Sequence, residues 1–211
     1  MSDAAPLNMH EAFWSQRYRD AGEAYLFGTA PNAFLTREGH RLPEGATVLS
    51  VADGEGRNSV WLAEHGCRVV ATEISPIAVG KAQHLATERN VDVTFVVADV
   101  LDWDWPVAAY DAVVAIFIQF AGPEERAILF RNMQAALKPG GLLLLQGYTP
   151  EQLVHGTGGP PSLANLYTED MVRSAFSGMH IEHLRSYEDV LAEGKAHCGR
   201  SALIEMVARR R

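Results

Sequence analysis

With 211 residues, 47% of them hydrophobic, the chain can fill the core of one ordinary α/β domain and leaves little for a second. Its formal net charge of −8 disfavours a nucleic-acid partner, because contacts to a polyanion need clustered cations, and the basic run is only Arg209-Arg210-Arg211. Cys67 and Cys198 lie far apart without metal spacing, residues 1–6 lack a signal core, and no apolar stretch nears the ~20 residues of a membrane span, so a cytoplasmic setting without membrane or metal is expected.

Residues 8–40 combine aromatics, glycines and Pro31-Asn32 with weak helical periodicity, as an amphipathic segment and a loop across the mouth of a site would. Trp14, Tyr18, Tyr25 and Phe27 suit either core packing or an aromatic lid around a desolvated cation. From Ala46 onward apolar strands alternate with helical stretches: a strand ending near Ser50, a helix over 58–65, a strand ending at Glu73 and a helix over 76–89 capped by Ser75-Pro76. A third strand ends at Asp99, a fourth runs over 110–116, and a helix over 123–137 stops at Lys138-Pro139-Gly140. Strand five covers 142–146, a short helix 168–177, and two late strands 181–187 and 201–208. Such alternation predicts right-handed βαβ crossovers and a mainly parallel sheet with helices on both faces.

The first three strands carry the functional signal. Val48-Leu49-Ser50-Val51-Ala52-Asp53-Gly54-Glu55-Gly56-Arg57-Asn58 is an apolar run that stops at a Gly-x-Gly turn and restarts as a helix, the pattern of a nucleotide-cofactor cradle. Glu73, closing strand two, is placed to accept both hydroxyls of a ribose, and Asp99 closes strand three. A dinucleotide fingerprint wants a third glycine where Ser59 stands, and a pyrophosphate would meet Asp53 and Glu55 in the turn. A cofactor bearing an ammonium and a sulfonium tolerates both carboxylates, so S-adenosyl-L-methionine fits better than a nicotinamide dinucleotide.

Val48 to Asn58, Glu73-Ile74-Ser75-Pro76, Ala98-Asp99 and Leu137-Lys138-Pro139-Gly140-Gly141 together resemble the class I S-adenosylmethionine-dependent methyltransferases, over nearly the whole chain. More narrowly, Trp14-x-x-Arg17-Tyr18 and Phe27-Gly28-x-x-Pro31-Asn32-x-Phe34-Leu35 are similar to the tellurite-resistance and thiopurine S-methyltransferase branch, in which such a segment folds over the cofactor. The resemblance implies a Rossmann-like, seven-stranded, mostly parallel sheet with an antiparallel last strand, in a single domain with a lid segment over 1–42 and a core over 43–211. It implies that the cofactor binds among Trp14, Arg17, Ser50, Ala52, Asp53, Gly54, Gly56, Asn58, Glu73, Ile74, Asp99, Val100 and Ile116, with Arg17 at the methionine carboxylate and Asp99 at the adenine amino group. Two departures stand out: Ser50 replaces the usual acidic residue closing strand one, and Ala52 the first glycine.

Strand four reads Ile116-Phe117-Ile118-Gln119-Phe120, not the Asp/Asn-Pro-Pro-aromatic sequence of amine methylation on bases. Methylation of a base is therefore not expected, and the narrower resemblance implies a small-molecule acceptor at sulfur, selenium or tellurium: a thiol or a chalcogen oxyanion. Tyr148, His197 and Arg200 are the candidate catalytic residues, with Gln119 and His155 as further candidates to face the acceptor; Cys198 is read as packed or exposed rather than nucleophilic. His197 and Arg200 are the nearest matches to that branch's histidine and basic pocket residues. Two other readings stand beside this one: a non-catalytic sensor of S-adenosylmethionine or S-adenosylhomocysteine, and a nicotinamide-dependent reductase. The oligomeric state stays open between monomer and homodimer.

Overall fold

A computed structural model of the chain describes residues 9–194 and 196–211. The reading of residues 1–6, and with it the first part of the expected lid segment, lies outside the described residues. Among the described residues two α-helices precede the sheet, α1 (Met9–Asp20) and α2 (Ala33–Glu38), the latter capped by Asn32, whose side chain accepts from Leu35 N–H. The core then alternates β1 (Thr47–Ser50), α3 (Arg57–Glu64), β2 (Arg68–Glu73), α4 (Pro76–Glu88) and β3 (Val93–Val97). It continues with β4 (Tyr110–Ile116), α5 (Pro123–Ala136), β5 (Leu137–Tyr148), α6 (Gln152–His155) and α7 (Glu169–Ala175), and ends in β6 (Met179–Glu193) and β7 (His197–Arg210).

The seven strands run in the order β3-β2-β1-β4-β5-β7-β6. The first five pair in parallel, while β7 is antiparallel to both neighbours. Alternation along the central strands explains why both faces are covered. Leu49, Val113, Leu143 and Met206 point to the face where α5 packs Leu129 and Met133, α7 packs Val172, and Phe176 packs just after α7. Val48, Ala112, Leu144 and Val207 point to the other, under Phe34 and Leu35 of α2 and Leu62 of α3.

Two features depart from the expected spans. β5 begins directly at the end of α5: Leu137 pairs with Tyr110, the register slips, and regular pairing resumes at Leu142. The last two strands are far longer than expected, because β5 pairs with β7 only as far as Leu203 whereas the β6–β7 ladder continues to Glu193 and His197. The free half of this hairpin is exposed on much of its surface, so its sequence lacks a continuous apolar alternation.

The order in which successive strands join the sheet reverses between β1 and β4, which opens a crevice beyond the carboxyl ends of the strands. The tip of the long hairpin folds back over that crevice, and Ala196 N–H donates to the Leu26 carbonyl at 3.3 Å.

Candidate active site

The turn after β1 is built by its own side chains. Ala52 takes φ +49°, so the position of the missing first glycine keeps a left-handed backbone at some cost in strain. Gly56 sits at φ +91°, and a Cβ there would lie 2.8 Å from the Ala82 Cβ, so the turn packs directly against α4. Asp53 is held inward: the Ser50 hydroxyl donates to its Oδ1 at 2.6 Å, and the Ser59 hydroxyl donates to Oδ2. Burial raises its carboxyl above the ordinary range, against the pull of these two serines. Ser50, where an acid is usual, thus serves to anchor the acid three residues later.

Glu73, at the end of β2, is 6% exposed. Its Oε2 accepts from Gly54 N–H at 3.0 Å and its Oε1 from Ser75 N–H at 2.9 Å. Burial nevertheless raises it to about 7, outweighing those hydrogen bonds.

Behind the turn lies a buried polar hub. Asn32 N–H donates to Asn58 Oδ1 at 3.0 Å, and its side-chain amide donates to Gln146 Oε1 at 2.7 Å and Glu193 Oε1 at 3.0 Å. Arg57, the first residue of α3, pairs through Nη2 with Glu193 Oε2 at 2.7 Å, with both side chains at or below 10% exposure.

The N-terminal segment closes over this turn. Ser15 of α1 bonds the Ser75 hydroxyl at 2.8 Å, Tyr18 is buried, and Trp14, Tyr18 and Phe27 form an aromatic set with ring centroids 6.0–6.5 Å apart. Beneath them is a cavity of about 100 Å³ that Trp14, Tyr18 and Phe27 share with Ser50, Asp53 and Glu73.

A larger chamber of about 470 Å³ adjoins it, walled by Phe13, Trp14, Phe27, Phe117, Phe120 and Tyr148. His197 borders both spaces. Its ring lies 4.3 Å from Phe117, 4.6 Å from Phe27 and 5.8 Å from Tyr148, and Phe117 stacks on Tyr148 at 4.7 Å. Phe117 reaches that position with φ +56°, a strained conformation at the end of β4. Burial, then the charges of Arg57 and Arg17, push His197 down to about 3, so the imidazole is neutral at physiological pH. Burial likewise raises the Tyr148 hydroxyl well above its ordinary value.

Of the residues expected at the cofactor, Trp14, Ser50, Ala52, Asp53, Gly54, Asn58, Glu73 and Ile116 meet around the smaller cavity. Arg17 faces the larger chamber instead, its guanidinium 4.9 Å over the Trp14 ring. Gly56, Ile74, Asp99 and Val100 do not line the cavity; Asp99 accepts from Leu101 N–H at 3.0 Å. Tyr148 and His197 come together, whereas Arg200 lies on the exposed side of the hairpin, paired with Glu188, which also holds His155 at 3.1 Å. Gln119 is consumed in structure, donating to the Tyr148 and Asn165 carbonyls at 2.9 and 3.0 Å. Sequence reasoning missed Arg57 and Glu193. Arg57 carried a local signal, as the first residue after the glycine turn, but Glu193 carried none.

Residues 48–141 match the family model of a methyltransferase domain. Cypemycin N-terminal methyltransferase from a Streptomyces species is 31% identical over 122 residues, 56% of this chain and 49% of that protein, so the match spans about half of its length. The structure reported for conversion of a disulfide bond into a thioacetal group during echinomycin biosynthesis superposes with a TM-score of 0.76 at 19% identity, over 95% of this chain and 92% of that one. TehB from Haemophilus influenzae superposes with a TM-score of 0.71 at 16% identity, over 95% of this chain and 67% of that one. The fold is that of the class I methyltransferases. The matched stretch runs from β1 into β5, less than half of the chain, and it is this stretch that is similar to a methyltransferase domain.

Proposed function

We propose that the whole chain is an S-adenosylmethionine-dependent methyltransferase that acts on a small molecule at sulfur, selenium or tellurium, with the N-terminal segment as its lid. The observation that carries this reading is the pair of adjoining spaces, one under the glycine turn and one walled by aromatics, with His197 at their junction. The residues present suit the cofactor: the Glu73 carboxylate for ribose hydroxyls, a turn of left-handed backbone that admits close approach, and a buried arginine edge without a partner.

When bound, S-adenosylmethionine supplies an electrophilic methyl on a sulfonium, with the leaving group already in place. The chain's own work is to align the nucleophile and keep water out. Phe27, Phe117 and Trp14 wall off solvent around the junction. His197, neutral and depressed to about 3, is too weak a base to ionise a thiol of ordinary pKa ~8.5. It orients the acceptor instead. The same positive field from Arg57 and Arg17 that depresses His197 favours an acceptor that reacts as an anion, and Tyr148 O–H donates to it. Soft chalcogen nucleophiles suit the aromatic walls, since sulfur packs favourably against ring edges.

The reading includes a cytoplasmic setting, in keeping with the unpaired Cys67 and Cys198, and no nucleic-acid partner, in keeping with the net charge of −8. No helix among the described residues is long and apolar enough to cross a membrane.

Isothermal titration with S-adenosylmethionine and S-adenosylhomocysteine tests the cofactor, and methyl transfer from labelled cofactor to benzenethiol, selenite and tellurite tests the acceptor. Micromolar binding followed by transfer to one of the three supports the reading. Binding with transfer to none of them overturns the chalcogen assignment, and no binding overturns the function.

A further inference from the structure

Among the described residues, three buried side-chain polar atoms have no hydrogen-bond partner: Arg57 Nη1, Tyr148 Oη and His197 Nδ1. They are not scattered. Arg57 and His197 border the smaller cavity, His197 and Tyr148 the larger chamber, and the Arg57 charge acts on both other groups. Burying a guanidinium N–H without an acceptor is costly, so an orphan of this kind in an otherwise satisfied interior marks the place of a ligand group.

We infer that Arg57 is the residue that reads the carboxylate of the cofactor's methionine end, through the Nη1 edge that Glu193 leaves free. This rests on the cofactor reading above and reassigns to α3 the role that the family resemblance implies for Arg17. Three observations carry it. Arg57 lines the cavity beside Asp53, Gly54 and Asn58, whereas Arg17 lies over Trp14 and lines only the neighbouring chamber. The Arg57 side chain is 7% exposed, so it meets ligand groups in the cavity rather than bulk water. Its fork is also held in place: Nη2 is pinned to Glu193 Oε2 at 2.7 Å, and the other oxygen of Glu193 accepts from the Asn32 amide and from Ala33 N–H. One edge of the guanidinium is fixed in structure and the other is buried without a partner in a residue that borders the cavity, the arrangement that suits a second carboxylate. Asp53, nearby and acidic, has lone pairs beyond those used by Ser50 and Ser59 and is a complementary acceptor for the ammonium of the same zwitterion.

The test compares two ligands that differ only in that carboxylate: S-adenosylhomocysteine, and its decarboxylated counterpart, which keeps adenosine, thioether and ammonium. By isothermal titration the full chain should bind S-adenosylhomocysteine at least about 10-fold more tightly, the effect of one charge-assisted contact. Arg57→Met should abolish that preference and leave the affinity for the decarboxylated ligand within about 3-fold of the unsubstituted chain. Because Arg57→Met leaves the Glu193 carboxylate buried and unpaired, the double variant Arg57→Met/Glu193→Gln repeats the comparison without an orphaned charge. Equal affinity for the two ligands in the unsubstituted chain overturns the inference while the cofactor reading stands, and needs no variant. So does a preference that survives in the Arg57 variants and vanishes in Arg17→Met. Failure of both ligands to bind overturns the cofactor reading itself, and this inference with it.

Discussion

The Lys81 ammonium reaches from α4 to Glu55 Oε1 at 2.8 Å, and the other oxygen of that carboxylate accepts from Leu26 N–H at 2.7 Å. The ammonium also donates to the Tyr18 and Ala24 carbonyls, at 3.2 and 2.8 Å. One ion pair therefore ties the glycine turn, α4 and the N-terminal segment together. The Glu55 side chain is only 1% exposed, so removing its partner leaves a buried charge. Lys81→Met should cost about 3 kcal/mol of unfolding free energy. It should also open the N-terminal segment to limited proteolysis between residues 20 and 30. Denaturant unfolding and protease mapping check both; unchanged protease resistance would show that the segment is held by its aromatics alone.

Gly194, at φ +74°, lies so close to the N-terminal loop that a Cβ would fall 2.3 Å from the Phe27 carbonyl carbon. Gly194→Ala should destabilise by about 1–3 kcal/mol, through backbone strain and displacement of the hairpin tip. Hydrogen exchange should quicken at the Leu26 and Phe27 amides. Equal exchange in both proteins would contradict the contact.

Glu73 and His197 shift in opposite senses. Burial raises Glu73 from 4.5 to about 7, so the folded chain binds its proton more tightly across that range and its contribution to stability falls as pH rises. Burial lowers His197 from 6.5 to about 3, so its contribution is present above 6.5 and is lost as pH falls toward 3. Between about 4.5 and 6.5 the two slopes oppose each other, each up to about 1.4 kcal/mol per pH unit. His197→Gln should make stability fall as pH rises through this window, and Glu73→Gln should make it rise. Urea unfolding across the window reads both signs, and parallel curves for the two variants would refute the assignment.

The Tyr148 hydroxyl is buried and unpartnered, so its removal costs the fold nothing. Tyr148→Phe should leave stability unchanged or raise it by up to about 1 kcal/mol, while methyl transfer slows. A thermal melt beside a transfer assay separates the effects. A marked drop in melting temperature would assign the hydroxyl a structural bond.

What was legible in the sequence was local. The glycine turn, the acid at the end of β2 and the Ser75-Pro76 cap each announce themselves within a few residues, and all sit where expected. Arg200 was within reach of the same logic. It stands three residues from His197 on one strand, and an odd spacing along a strand sends two side chains to opposite faces. The hub around Asn32 was not legible, because its partners Asn58, Gln146 and Glu193 come from three distant elements that meet only through the sheet order. The free edge of Arg57 has the same origin: it depends on which oxygen of Glu193 the hairpin presents.

The hairpin tip ties the earliest described part of the chain to one of the last. Asn32 bonds Glu193 across 161 positions, and Leu26 receives Ala196. Closing so long a loop carries an entropic charge that only a formed sheet can offset. During synthesis, β1 to β5 can therefore assemble, with the leading segment already held at α4 and the glycine turn, before its contacts to the hairpin tip exist. The pocket becomes complete only when the closing strands have left the ribosome, so a nascent chain stalled before residue 193 would hold a sheet and no finished site.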